Sequence, residues 1–271
     1  MRALVIAAVI AVAASGIVSA QGPGSVPRTA EGKPDLTGVW QGGSTQRGTW
    51  EEANRGVGVG GSGVDPSAPT VLSSNDRPEG REAAPYQPWA AKKVVEAYNR
   101  RGIDDPTGLC LPAGIPRIVM LGLFPQQFVQ TRDQIVMLYE YMNVFRVIPF
   151  NAKRPDDIIP SYMGNSVAQW EGDTLVIDVI GFNDKTWLAG TGTFHTDALH
   201  ITERYTRVDR DQINYEVTIE DPNVLTRPWT LRSTLMLREG TRLQEMVCAE
   251  NNIDPDRYEK LLNEGVKFTR D

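Results

Sequence analysis

The chain has 271 residues, of which 41% are hydrophobic and 23% charged, and its formal net charge is -6 at pH 7. An acidic chain with scattered arginines lacks the electrostatic footprint of a nucleic-acid-binding protein. A mature chain of about 250 residues is long enough for one large domain with a sizeable core.

Residues 1–20 predict a secretory signal peptide. Met1 and Arg2 give a short basic start, residues 3–17 are apolar, and Ala20 ends a small-x-small cleavage site. The apolar run is shorter than the roughly 20 residues that a transmembrane helix needs. We therefore expect a periplasmic or secreted protein with no integral membrane segment after cleavage.

Residues 21–117 are predicted to form an N-terminal extension with one loop and one helix. A strand-like Thr-Gly-Val-Trp begins its ordered part, and residues 54–69 are a loop rich in glycine, serine and proline. A helix is predicted over 88–102, because proline leads, glycine closes and arginines occupy the last turn. The connector at 104–117 is too rich in proline and turns for a helix.

Residues 118–271 are predicted to form an antiparallel β-barrel-like domain. Short polar turns separate segments rich in β-branched and aromatic residues, and parallel strands would need longer crossovers. The predicted strands are 127–131, 135–141, 144–150, 166–170, 174–182, 199–208, 212–220, 229–238 and 243–250, followed by a short helix at 255–263. Because closure removes exposed edges, we expect a mainly β fold: an up-and-down meander forming a lipocalin-like barrel or a curled sheet.

Cys110 and Cys248 are the two cysteines of the chain. Export permits oxidation, so we predict a disulfide between them, with two buried free thiols as the alternative. In the chain-entropy model, a bridge that closes so long a loop raises the free energy of unfolding by roughly 4–5 kcal/mol.

Candidate catalytic residues cluster around the two histidines of the chain, His195 and His200. If 199–208 is a regular strand, His200 and Arg204 share one face, whereas Glu203 and Tyr205 share the other. We predict that His195 or His200 transfers a proton and that Arg204 stabilises a developing oxyanion. The alternative is a strand start with two ordinary polar residues.

The loop at 182–192 supplies further candidates. Asp184 or Glu203 would orient the imidazole, and Asn183, Trp187 and Tyr205 would bind the substrate, because loops at the end of a rigid sheet often carry binding groups. The alternative is an Asn-Asp turn with a packed tryptophan.

A metal site using His195, His200 and Glu203 is a further alternative. Five residues of extended chain would separate the histidines by roughly 16 Å, so a shared ion requires a turn between them. We therefore predict no metal and no cofactor.

The chain has no GxSxG elbow, P-loop or Rossmann glycine fingerprint, which disfavours serine hydrolases and nucleotide-dependent enzymes.

Several predicted strands carry a single carboxylate among apolar residues, and such positions usually face solvent. Two carboxylates facing the interior would instead form an acid and base pair. The residues are Glu140, Asp178, Glu203, Glu216 and Glu245.

Blocks spread over nearly all of the mature chain resemble a family of uncharacterised exported bacterial proteins. They include PDLTGVW at 34–40, WEGDTLV at 170–176, GFNDKTW at 181–187 and LHITERY at 199–205. The resemblance implies export and a β-rich domain, and brings no established activity. Gly38, Val39 and Trp40 also resemble the Gly-x-Trp of the first strand of lipocalin barrels, but here a loop and a helix separate them from the main strands.

The sequence therefore predicts an exported enzyme that uses cofactor-independent acid/base chemistry, of the hydrolase, lyase or isomerase class, on a small organic molecule in the barrel mouth or interior. The alternative is a non-catalytic, lipocalin-like carrier of an apolar or aromatic ligand, and a third possibility is a structural envelope module. An enzyme needs a histidine that is hydrogen-bonded to a carboxylate and faces a cavity.

Overall fold

The computed structural model describes residues 25–42, 84–120, 122, 124–190, 192–250 and 252–265. The predicted signal peptide at 1–20 and the loop at 54–69 lie outside these residues. Within the described ranges, no helix is long and apolar enough to cross a membrane.

The described chain is mainly β, as predicted. The strands are β1 (Gly38–Gln41), β2 (Gln126–Gln130), β3 (Gln134–Tyr139), β4 (Val144–Pro149), β5 (Asn165–Glu171), β6 (Thr174–Ile180), β7 (His200–Arg207), β8 (Gln212–Glu220) and β9 (Trp229–Leu237). They form one sheet in the order β4-β3-β2-β1-β9-β8-β7-β6-β5. Neighbours in the sheet are also neighbours in the chain, except that β1 pairs with β9, so the meander curls into a nearly closed up-and-down barrel.

The barrel has one junction that differs from the others. Strand direction alternates along an antiparallel sheet, so a ring with an odd number of strands must contain one parallel pair. Here that pair is β4 and β5, the two ends of the nine-stranded order. Among the described residues, a parallel bridge between Phe150 and Ala168 joins them, and residues 150–164 form the crossover that a parallel pair requires. We call this junction the seam.

The predicted hairpin of β5 and β6 is confirmed. The two strands pair from Asn165 opposite Ile180 to Glu171 opposite Thr174, across a turn of Gly172 and Asp173. Gly172 has a positive φ of 60°, which glycine adopts without steric cost.

One predicted strand is wrong. Residues 243–250 form no strand and are largely exposed, and Val247 is 53% exposed. The ninth strand is instead β1, which belongs to the predicted extension and lies between β2 and β9. The apolar run at 246–249 is typical of a strand, but a strand also needs a free neighbour for its backbone hydrogen bonds, and the edge of β9 is taken by β1.

The helices are α1 (Pro88–Asn99), α2 (Arg101–Asp104), α3 (Arg117–Met120) and α4 (Asp254–Asn263), with 3₁₀ turns at Pro106–Leu109 and Tyr141–Asn143. The connector at 104–117, predicted to lack helix, contains the first of these turns and the start of α3. Its turn begins where Asp105 accepts a hydrogen bond from the backbone N–H of Thr107 and Pro106 supplies a suitable φ.

The barrel interior is packed with large side chains. Phe128 of β2 and Tyr205 of β7 are not on neighbouring strands, yet their ring centroids lie 5.7 Å apart across the interior. Trp40, Met137 and Tyr215 are also almost fully buried. These side chains fill the interior where an open lumen was expected.

The predicted disulfide between Cys110 and Cys248 is confirmed, with a Cα–Cα distance of 5.5 Å. It joins the connector after α2 to the segment after β9.

Candidate functional site

The loop before β7 is folded onto the barrel. Trp187 is 8% exposed, whereas Asp184 lies in solvent. The Oδ1 of Asn183 accepts a hydrogen bond of 3.2 Å from the backbone N–H of Lys185. This arrangement matches the Asn-Asp turn with a packed tryptophan.

His195 is buried in this loop with both ring nitrogens occupied. Its Nδ1 lies 2.8 Å from the carbonyl oxygen of Thr196, which can only accept, so Nδ1 carries the proton. In the neutral ring Nε2 then accepts from the hydroxyl of Thr186, at 2.6 Å. Burial lowers the pKa of His195 and so favours this neutral form. The ring positions the loop.

Strand β7 alternates as its sequence predicts. The face that carries His200 points out of the barrel, whereas a site in the barrel interior would need that face to point inward. Glu203 and Tyr205 are fully buried inside the barrel, while His200 and Arg204 are half-buried on the outer face. This corrects the expectation that His200 and Arg204 face an internal cavity, although they do share a face.

The outer-face histidine lies between two carboxylates. His200 Nε2 is 2.5 Å from Asp178 Oδ1, and its Nδ1 is 3.2 Å from Glu220 Oε2. Burial opposes ionisation of Asp178, but hydrogen bonds from Arg154 and His200 outweigh it and lower the pKa of that carboxyl. Arg204 pairs separately with Glu171, at 2.8 Å. A histidine–carboxylate pair therefore exists, on the outer surface.

Inside the barrel, Glu203 is the centre of a buried polar cluster. Its Oε2 accepts from Arg146 Nη2 at 2.6 Å, and its Oε1 accepts from the hydroxyls of Tyr205 at 2.8 Å and Tyr215 at 3.1 Å. The Arg146 and Glu203 side chains are 3% and 0% exposed. Glu203 is therefore a carboxylate with its charge balanced and its oxygens occupied.

Arg146 was not among the residues predicted from sequence. It lies on β4, shares the inward parity of Ile148, and donates from Nη2 to Ser166 Oγ of β5 at 2.8 Å. Its Nε is buried and has no hydrogen-bond partner in the part of the chain that the structure describes. An arginine at an apolar-parity position of a predicted strand was the signal that could have identified it.

Tyr205 and Tyr215 donate to Glu203, and the hydroxyl of Tyr139 joins the cluster by accepting from Arg146 at 3.5 Å. Burial raises the pKa of Tyr139 to about 12, and burial together with the Glu203 charge raises the pKa of Tyr205 and Tyr215 well above the ordinary value. Burial alone would lower the pKa of Arg146, but the neighbouring Glu203 charge outweighs it and raises that pKa. The tyrosines stay protonated and the arginine stays charged near neutral pH.

A cavity of about 640 Å³ opens at the seam. We call it the seam cleft. It is lined by Pro112, Asn143, Val144, Phe145, Arg146, Val147, Pro149, Lys153, Pro155, Ser161, Tyr162, Met163, Gly164, Asn165, Ser166 and Val167. Both strands of the seam and the crossover between them contribute, and the lining includes two cationic side chains and no carboxylate. None of the predicted catalytic residues lines it.

The alternative metal site does not assemble. His195 lies inside the loop, His200 on the outer face and Glu203 within the barrel. The described residues contain no group of three or more His, Cys, Asp or Glu side chains that could hold a metal ion.

No family model matches the chain, and no curated protein matches it. Two crystal structures of mutants of the fluorescent protein UnaG are similar to it. One is 13% identical, with a TM-score of 0.26 and coverage of 45% of this chain and 76% of that chain. The other is 14% identical, with a TM-score of 0.27 and coverage of 52% of this chain and 90% of that chain. The barrel assignment rests on the strand order and pairing described above.

Proposed function

We propose that the protein is a non-catalytic binding protein that holds a small, largely apolar ligand in the seam cleft. The observation that carries this proposal is a cleft lined mainly by apolar side chains, with the buried guanidinium of Arg146 and the half-buried hydroxyl of Ser166 also in its lining. Ligand sites combine these two features, because apolar lining supplies affinity and a few fixed polar groups supply orientation.

The enzyme hypothesis receives no support from the residues on which it depended. It requires a histidine that is paired with a carboxylate and faces a cavity. His195 has both nitrogens occupied within its loop, and His200 meets Asp178 on the outer face, outside the cleft lining. A binding role needs neither histidine.

The polar end of the cleft favours a ligand with a hydrogen-bond acceptor. Arg146 is already paired with Glu203, so its charge is balanced, and its Nε is too deeply buried to meet a ligand. The half-buried hydroxyl of Ser166, which accepts from Arg146, would donate its own proton to a carbonyl or hydroxyl oxygen of the ligand. Burying about 200 Å² of apolar ligand surface would contribute roughly 5 kcal/mol, before the entropic cost of binding.

Binding outside the cytoplasm is part of the proposal. Residues 1–20 predict export, and the disulfide between Cys110 and Cys248 suits an oxidising compartment. We therefore propose a periplasmic or secreted carrier.

The neutral dye N-phenyl-1-naphthylamine, which fluoresces in apolar surroundings, tests the cleft. We expect saturable binding to the native protein, and Val147→Asp should weaken it at least tenfold by placing a charge on the apolar lining. Val129→Asp is the matched control, because Val129 is also an exposed valine on the outer face of a strand but lies outside the lining. Absence of saturable binding, or an equal loss in both variants, would contradict the proposal.

A further inference from the structure

We propose that the ligand of the seam cleft is uncharged and that its apolar body carries one polar group that both donates and accepts hydrogen bonds, as an amide or an alcohol does. This inference rests on the proposed function, since it names the ligand class of the same cleft. Two observations carry it. The charged side chains of the lining already have partners of opposite charge, whereas two neutral polar side chains of the lining have no hydrogen-bond partner among the described residues.

Both cations of the lining are balanced by carboxylates. Arg146 pairs with Glu203 at 2.6 Å, and both side chains are buried. Lys153 pairs with Asp156 at 3.3 Å in solvent, where the two side chains are 84% and 90% exposed. Water screens a lysine that is so exposed, and the carboxylate beside it offsets its charge. A charged ligand would therefore lose hydration in the cleft without meeting an unpaired ion of opposite sign.

The two neutral side chains are Tyr162 and Asn165. Both are half-buried in the lining, yet neither side chain makes a hydrogen bond with another residue that the structure describes. A phenol hydroxyl donates one hydrogen bond and accepts others, and a carboxamide offers two donors and one acceptor. Because an apolar ligand would cover these groups and leave them unpaired, a ligand that forms hydrogen bonds with them binds more tightly.

Ser166 determines the direction of one further hydrogen bond. Its hydroxyl accepts from Arg146 at 2.8 Å, so its own proton is left for the ligand, which must present an acceptor there. The carboxamide oxygen of Asn165, in contrast, needs a donor. An amide or an alcohol presents both a donor and an acceptor, whereas an ester, a ketone or a carboxylate only accepts.

The apolar body of the ligand has its own wall. The parallel bridge that ends the seam puts residues 144–147 of β4 level with residues 162–165, so the two unpaired polar groups face β4 across the cleft. Phe145 and Val147 of β4 are 64% and 51% exposed and line the same cleft. We therefore expect the polar group of the ligand to lie toward residues 162–165 and its apolar body to pack against β4.

Three naphthalene compounds of similar shape test the charge of the ligand on the native protein. They are 1-naphthaleneacetamide, which is uncharged, 1-naphthaleneacetate, which is an anion, and 2-(1-naphthyl)ethylamine, which is a cation at pH 7. Isothermal titration calorimetry should show that the amide binds roughly fivefold more tightly than either ion, because only the ions lose hydration without a counter-ion. An anion or a cation that binds as tightly as the amide would overturn the inference.

Two protein variants test the named polar groups. Tyr162→Phe removes the hydroxyl and keeps the ring, and Asn165→Leu removes the amide and keeps a side chain of similar size. Each should weaken binding of 1-naphthaleneacetamide roughly fivefold, because it removes one hydrogen bond. Asn214→Leu is the matched control, because Asn214 is exposed on β8 and lies outside the lining. Unchanged affinity for the amide in both cleft variants would contradict the proposal.

N-phenyl-1-naphthylamine separates this inference from the proposed function. The amide should displace the dye, and both cleft variants should still bind the dye, which also shows that they are folded. Dye binding together with an amide that does not bind, or that leaves the dye in place, overturns the ligand class and keeps the cleft. A native protein that binds neither the dye nor the amide overturns both proposals.

Discussion

The protonation state of His195 is coupled to the packing of the loop that contains it. The ring donates to Thr196 and, in the neutral form that burial favours, accepts from the hydroxyl of Thr186. The barrel end that carries Trp187 depends on this loop, because Trp187 and Phe194 form a bridge within it. A buried histidine of this kind makes stability depend on pH.

We expect the free energy of unfolding to fall as pH falls below about 6.5, the ordinary histidine value. Burial lowers the pKa of His195 in the folded state, so the unfolded chain binds the proton more readily and gains population as pH falls through that window. His195→Gln should reduce this dependence, whatever its effect at neutral pH. Urea unfolding between pH 7.5 and pH 5 measures it, and equal slopes for the variant and the native protein would contradict the assignment.

At the scale of elements, Arg146 is a link across the seam. The ladder is missing between β4 and most of β5, and the guanidinium replaces it by reaching Ser166 of β5 and Glu203 of β7. Three strands therefore meet at one buried side chain, below the cleft that separates two of them.

Arg146→Met should lower the free energy of unfolding by roughly 3–5 kcal/mol, because it leaves the Glu203 carboxylate buried without its cation. Adding Glu203→Gln to that variant should recover part of the loss by removing the charge. Arg204→Met is the control, because its pair with Glu171 is partly exposed and such pairs contribute about 0–1 kcal/mol. Urea unfolding at pH 7 compares the three, and a loss no greater for Arg146→Met than for the control would contradict the role of Arg146.

At the scale of the whole molecule, the disulfide encloses most of the barrel. It joins residues separated by 138 positions, and strands β2 to β9 lie between them. Hydrogen bonds also hold the segment that contains Cys248, among them one of 2.7 Å from the Gln244 N–H to Glu140 and those between the Met246 backbone and the Asn143 side chain. The disulfide adds a covalent link to the connector.

Replacing both cysteines with serine should lower the free energy of unfolding by about 4–5 kcal/mol, since the unfolded chain regains the entropy of an open loop. Reduction of the native protein with dithiothreitol should have a similar effect and should not change the serine variant. Chemical denaturation with and without reductant measures both, and an unchanged native midpoint in the reductant would contradict the prediction.

Local pattern was sufficient for much of this fold. The meander, the β5–β6 hairpin and the alternation along β7 follow from side-chain periodicity and turn residues, which act over a few positions. The disulfide could be predicted because export to an oxidising compartment permits it and the chain has two cysteines. The same local rules produced the false strand at 243–250, because they do not say whether a partner strand is available.

Tertiary structure decided the rest, because it depends on contacts between distant residues. Parity grouped His200 with Arg204 and Glu203 with Tyr205, but only the direction in which the sheet curls determined that the second pair lies inside. The entry of β1 between β2 and β9 made the strand number odd and so created the seam. The pairing of Arg146 with Glu203, 57 positions away, then required that closure. The sequence by itself determined eight of the nine described strands and their alternation, while the closure of the barrel determined which side chains lie inside and where the seam cleft opens.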